Sequence, residues 1–158
     1  MYSCELSQLE RGLCQICWSV SMRVLLINGP NMSRLDIRGD KYNASYTQLV
    51  ATVSKYAQDL DIHVDFVVSD IEGELVKCIG ESLHDAIIIN AAAYSHYSIA
   101  IRDALESYKG KKIEVHMTNI YARESFRHKS MLSSVVDGAI VGFGVHSYVL
   151  ALYALVSI

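Results

Sequence analysis

From residue 22 onward the chain alternates between two hydrophobic periods. Short apolar runs suited to strands lie at 23–28 (Arg-Val-Leu-Leu-Ile-Asn), 62–68 (Ile-His-Val-Asp-Phe-Val-Val), 85–90 (Asp-Ala-Ile-Ile-Ile-Asn), 112–116 (Lys-Ile-Glu-Val-His) and 137–143 (Asp-Gly-Ala-Ile-Val-Gly-Phe). Helical patterns fall between and after them, near 46–59, 72–83, 98–108 and 146–157. In the second of these, Leu75, Cys78, Ile79 and Leu83 recur at helical spacing. Three of the strand runs are almost continuously apolar, the pattern of central strands covered on both faces. Strands alternating with helices in this way predict an α/β fold, a doubly wound parallel sheet in three layers. The single proline, Pro30, closes the first strand. Repeats, low-complexity tracts and linkers are absent from the sequence.

In a sheet of this kind ligands bind outside the carboxyl ends of the strands. A polar motif therefore gains weight when it directly follows a strand. Four do: Asn28-Gly-Pro-Asn31, Ser69-Asp70, the segment from Asn90 to His96, and the segment from His116 to Asn119. Loops at one sheet edge converge, so these groups are expected to share one crevice.

Composition narrows the class. The chain has 158 residues, 51% hydrophobic and 20% charged, which suits one globular domain. A formal net charge of -3 argues against a nucleic-acid partner. The apolar runs are too short to span a bilayer, so no membrane partner is expected. Residues 1–21 break the pattern, with no clear period, and Met22 opens an abrupt strand. The expectation is an N-terminal extension over 1–21, outside the chemistry, and a single catalytic domain over 22–158. Leu9 to Val20 is interrupted by Glu10, Arg11 and Gln15 and lacks the clean apolar centre of a signal peptide. The default location is the cytoplasm. Cys14-Gln-Ile-Cys17 has metal or redox spacing, but no second pair completes a four-ligand zinc site, so reduced thiols are the plainer reading.

The chemistry-bearing residues are then few. His116 ends the fourth strand, and Glu114 lies two residues earlier on the same face. A carboxylate beside an imidazole can fix its tautomer and favour the cation that a general acid requires. Read as one helical turn, Ala122-Arg-Glu-Ser-Phe-Arg127 puts Arg123 and Arg127 on one face. Two guanidiniums above a crevice suit an anionic substrate, a carboxylate or a phosphate. Asn90-Ala-Ala-Ala-Tyr-Ser-His96 offers an amide and an imidazole, with alanines that let a ligand approach the backbone. No nucleotide-binding glycine pattern is present. The long polar stretch from Asn31 to Tyr46 carries Arg34, Arg38, Lys41, Tyr42 and Tyr46, and its length suggests either a lid or a plain surface loop. A tyrosine among cations there could act as a base. These residues describe an enzyme with an acid histidine, basic anion clamps and a tyrosine that is a candidate base, and they leave its reaction unnamed.

Seven ordered segments add the reaction. They are Ile27-Asn-Gly-Pro-Asn-Met32, Asp70-Ile-Glu-Gly-Glu-Leu75, Ile89-Asn-Ala-Ala-Ala-Tyr-Ser-His96, Ala100-Ile-Arg-Asp-Ala104, Ile113-Glu-Val-His-Met-Thr-Asn119, Ala122-Arg-Glu-Ser-Phe-Arg127 and Gly142-Phe-Gly144. Together, over essentially all of 22–158, they resemble the signature of type II 3-dehydroquinate dehydratase. The resemblance implies a flavodoxin-like fold with a five-stranded parallel sheet, assembled as trimers packed into a homo-oligomeric dodecamer. It implies anti elimination of water from 3-dehydroquinate, through an enolate, to 3-dehydroshikimate in the shikimate pathway, with no metal or cofactor. By the same resemblance Tyr42 takes the C2 proton, His116 protonates the leaving hydroxyl, and Arg38 stabilises the charged base. Asn31 helps position a water at the enolate. Asn90, His96, Arg127 and the backbone at Met117 and Thr118 hold the substrate, Asp103 acts from a neighbouring subunit, and Glu114 and Arg123 support the site.

The chain departs from the family pattern in places. The stretch between Arg38 and Tyr42 is one residue short, and Asn43 replaces a common glycine, which leaves Tyr46 as a second candidate base. Tyr97, Ser125 and Ser147 stand where a small hydroxyl residue, a glutamate and a glycine are usual. A competing class is a non-catalytic flavodoxin-like module that binds a small acid or a protein. A phosphate- or flavin-binding domain is disfavoured, because no phosphate loop or acidic cluster follows the first strand.

Overall fold

The structure is a computed structural model that describes residues 21–38 and 44–158, with backbone alone at 37 and 38. Residues 1–20 of the N-terminal extension, with Cys14 and Cys17, and Tyr42 lie outside the described residues. Five strands, β1 (Met22–Asn28), β2 (Ile62–Val68), β3 (Ala86–Asn90), β4 (Lys111–His116) and β5 (Gly138–Val141), form one sheet. Its order is β2-β1-β3-β4-β5 and every pairing is parallel. Four helices connect and flank them: α1 (Tyr46–Asp59), α2 (Glu72–Gly80), α3 (Ile99–Ser107) and α4 (His146–Leu155). This is the predicted flavodoxin-like, five-stranded parallel sheet.

Each face of the sheet has its own core. Val24, Leu26, Ile88, Ile113 and Val115 pack against α1 and α4 through Leu49, Val53, Tyr148 and Leu152. Leu25, Ile27, Ile87 and Ile89 pack against α2 and α3 through Leu75, Ile79, Ile101 and Leu105. β1 and β3 are buried on both faces, which explains their continuous apolar runs. Strand β4 is also interior yet alternates, because its outlying polar residues, Glu114 and His116, are themselves buried. Local signals set several boundaries. Ser45 and Gln48 form a reciprocal capping box at the start of α1, and Ser98 caps α3 through the Ile101 amide.

Two boundaries differ from the sequence expectation. Helix α2 stops at Gly80, so Leu83 is 88% exposed and is no part of the core. Ser82 turns the chain there by accepting the His84 amide, and Asp85 then exchanges hydrogen bonds with Arg23 to start β3. Strand β5 ends at Val141 because Gly142, at φ 102, and Gly144, at φ 59, swing the chain toward α4. Helix α4 is apolar nearly all round. Tyr148, Ala151 and Leu152 face the core, while Leu150, Tyr153 and Val156 are exposed on the outside. No helix among the described residues is long and apolar enough to cross a membrane.

The chain reverses its direction of winding between β1 and β3. There Gly29 donates its amide to the Asn90 carbonyl at 2.8 Å, and a Cβ on it would lie 2.4 Å from the Ala91 carbonyl oxygen. Gly29→Ala must therefore push two strand ends apart. It is expected to cost about 1–3 kcal/mol of stability, the usual range for overpacking, and to lower activity with it. A chemical melt run beside a turnover assay checks both, and an unchanged midpoint would show that the ends can part freely.

Candidate active site

The carboxyl ends of β1, β3 and β4 open onto a crevice of about 240 Å³. Among its lining residues are eight that the sequence singled out: Asn31, Asn90, His96, His116, Met117, Thr118, Arg123 and Arg127. A second depression, of about 320 Å³, lies at the opposite edge beside Ser82, His84, Tyr108 and Lys109, and it gathers none of those residues.

His116 is the last residue of β4 and Glu114 sits two positions back on the same face, as the strand period requires. Glu114 is fully buried, and the His116 ring donates from Nε2 to its Oε1 at 2.8 Å. Two serine hydroxyls complete the carboxylate's partners. Ser130 donates to Oε1 and Ser133 to Oε2, both at 2.5 Å. Burial pushes the Glu114 carboxyl up, but the hydrogen bond and charge of His116 and the two hydroxyls outweigh it, so the net shift is downward. A carboxylate only accepts, so the His116 proton facing it is on Nε2, leaving Nδ1 for exchange with a ligand. His96 stacks beside it, ring centroids 6.2 Å apart, and gives its own Nδ1 proton to the Lys129 carbonyl at 2.9 Å.

The two arginines reach the crevice by a different local route from the one predicted. Residues 120–127 form two short 3-10 turns, Ile120–Ala122 and Ser125–Arg127, with Arg123 extended between them (φ -112, ψ -165). There is no single helical turn, because the side chain of Asn119 caps the first 3-10 turn and the chain straightens at Arg123 and Glu124. The guanidiniums still converge, since both contact one Glu124 carboxylate, Arg127 at 3.0 Å and Arg123 at 3.5 Å. Ser125 adds no second carboxylate beside them, which leaves the pair with positive charge to offer an anion.

Asn31 stands in the left-handed region at φ 66 and donates its amide to Asp70 Oδ1 at 2.7 Å, so the second strand's carboxyl end pins the first strand's loop. The stretch after Asn31 folds into a 3-10 segment, Met32–Arg38, held by buried Met32 and Leu35. The side chain of Arg38 and all of Tyr42 lie outside the described residues. Asp103 does not join the crevice. It projects from α3, is 60% exposed, and pairs with Arg102 at 2.8 Å. Tyr97 is exposed as well and packs edge-on against Tyr94 rather than lining the crevice. Ser147 is buried and bridges the end of β4 to α4, donating to the His116 carbonyl and accepting the Phe143 amide.

Four further residues shape the site that the sequence reading did not single out. Ser130 and Ser133 lie in a segment without strand or helix period, and only their proximity to Arg127 could have drawn notice. Tyr148 sits in a helix that reads as apolar throughout. Asn28 was seen only as part of the first loop.

A family model described as Dehydroquinase class II matches residues 22–156. The chain belongs to this family. A curated 3-dehydroquinate dehydratase of Caldicellulosiruptor bescii is 46% identical over 138 residues, 84% of this chain and 95% of the relative. The crystal structure of a type II dehydroquinase from Butyrivibrio crossotus superposes with a TM-score of 0.82 at 44% identity, covering 85% of this chain and 97% of that one. The type II dehydroquinase from Propionibacterium acnes gives 0.81 at 39% identity, covering 87% and 100%. The coverage is mutual, so the sheet and the crevice described above both fall within the part of the chain that these structures match.

Proposed function

We propose that this type II dehydroquinase is a hydro-lyase that removes water from 3-dehydroquinate to give 3-dehydroshikimate, a step of the shikimate pathway. One observation carries the reading at the site. A buried, carboxylate-backed histidine and two convergent arginines share a crevice sized for a small acid, in a chain whose residues 22–156 match the family. The arginines suit the substrate carboxylate, and the imidazole suits a leaving hydroxyl.

In this mechanism Tyr42, as phenolate, takes the C2 proton, and the electron pair forms the enolate. His116 gives its proton to the departing hydroxyl, which leaves as water while the ring double bond forms. Glu114 holds the imidazole and offsets its charge. Arg38 stabilises the Tyr42 phenolate, and Asn31 orients a water at the enolate oxygen. Asn90, His96, Arg127 and the backbone at Met117 and Thr118 bind the substrate, with Arg123 in support. Burial pushes the Tyr46 phenol up, and the neighbouring Asn28 amide offsets only part of that, which disfavours Tyr46 as the base.

Assembly belongs to the same reading. Asp103 points into solvent beside Arg102 and completes a site only if it belongs to a neighbour's. The exposed side of α4 and the apolar residues Ile71, Tyr97 and Ile99 suit burial between subunits. The assembly is then a dodecamer built from trimers, in the cytoplasm, with residues 1–21 outside the chemistry. Incubation with 3-dehydroquinate should produce enone absorbance, and light scattering at the assay concentration should report a particle many times 17.6 kDa. Absence of turnover in a folded oligomer would return the chain to the non-catalytic class, and full activity in a monomer would remove the role given to Asp103.

A further inference from the structure

Asn90 closes β3 directly opposite Asn28 of β1, and both are buried beneath the crevice. The Asn90 amide is fixed at both ends. Its Oδ1 accepts the Ala92 amide at 3.2 Å, and its Nδ2 donates to the Tyr148 hydroxyl at 2.7 Å. Tyr148 comes from α4, is wholly buried, and donates onward to Asn28 Oδ1 at 2.6 Å.

The direction of every bond follows from the first. The Ala92 amide can only donate, so the Asn90 oxygen must face it. Nitrogen must then face Tyr148, whose lone pair accepts it, and the phenolic proton is left for Asn28. Burial pushes the Tyr148 phenol up, so that proton stays in place. Ala92 itself is held at φ 51, a left-handed position that a non-glycine residue adopts at a cost. Asn90 keeps one N–H that is not committed to oxygen. Its neighbour is the Met32 thioether at 3.7 Å, a weak acceptor on the crevice wall.

We infer that Tyr148 is a positioning residue: through Asn28 and Asn90 it presents an N–H, never a carbonyl, to the substrate. The subsite at Asn90 is then a donor, and it selects a substrate oxygen that accepts. This rests on the reading that Asn90 binds substrate. The Met32 contact is the one a ligand oxygen would replace.

Tyr148→Phe keeps the ring that fills the core and removes only the hydroxyl. KM should rise roughly tenfold, the loss of about one hydrogen bond's worth of binding, with kcat changed by no more than about threefold. Asn90→Ala should raise KM at least as far. Adding Tyr148→Phe to Asn90→Ala should then change KM by less than about twofold, because the hydroxyl acts only through that amide. Asn28→Ala frees the phenolic proton to turn toward Asn90 and should raise KM in the same direction, which keeps a test in hand if Tyr148→Phe does not fold. An unchanged KM in Tyr148→Phe beside a raised KM in Asn90→Ala would overturn the relay and leave the subsite standing. Equal KM increases in both backgrounds would also overturn it, as would a loss confined to kcat and melting temperature. An unchanged KM in Asn90→Ala would remove the subsite itself.

Discussion

Glu114→Ala should inactivate the enzyme and destabilise the fold together. The carboxylate accepts from His116, Ser130 and Ser133 with no exposure to water, so its removal strands three donors. Breaking a buried ionic pair from one side costs about 3–5 kcal/mol. A general acid contributes about 10²–10⁴-fold to rate, and His116 without its partner loses most of that. Glu114→Gln separates the two effects. The amide fills the same space but cannot accept at both ends, so it should destabilise less and inactivate nearly as much. The pH dependence has a definite sign. The Glu114 carboxyl lies below its ordinary value of 4.5 in the folded state. Its stabilisation is therefore complete above that value and is lost as pH falls through the depressed one. A wild-type melting temperature that declines below about pH 4.5 more steeply than that of Glu114→Gln is the expected result. Parallel curves would mean the pair adds nothing to stability.

Tyr42→Phe should abolish turnover while leaving the fold and substrate binding intact, because only the proton-accepting oxygen is lost. An unperturbed phenol has a pKa of about 10, so a base working near neutrality must close a gap of roughly 3 units, or about 4 kcal/mol. One exposed cation contributes about 0–1 kcal/mol and cannot do this alone. In the proposed mechanism the rest must come from Arg38 held against the phenolate with water excluded. Arg38→Ala should then cost kcat far more than KM. Tyr46→Phe is the control, since burial moves that phenol away from ionisation and its loss should be nearly silent. Activity surviving Tyr42→Phe but not Tyr46→Phe would transfer the base to Tyr46.

The fold was legible where one period dominated. The apolar runs of β1 and β3 and the amphipathic pattern of α1 each had one reading, and the alternation between them implied a parallel sheet with its site at one edge. Legibility failed where polar contacts set the geometry. Leu83 kept helical spacing with Leu75 and Ile79, yet Gly80 and the Ser82 turn ended the helix before it. Arg123 and Arg127 keep an i, i+4 spacing, but two 3-10 turns rather than a helix bring them together. The crevice wall was readable because its residues follow strands. Its supports were not, because Ser130, Ser133 and Tyr148 act from segments whose local pattern says nothing about a carboxylate or an amide far away in the chain.

Helix α4 carries a further consequence. Its inner side holds Tyr148 against the crevice, while its outer side offers Leu150, Tyr153 and Val156 to whatever lies beyond. Covering that outer side in an assembly would tie the helix's docking to subunit concentration by mass action. The alignment of an amide in the crevice and the dilution of the protein would then be linked through ten residues of one helix.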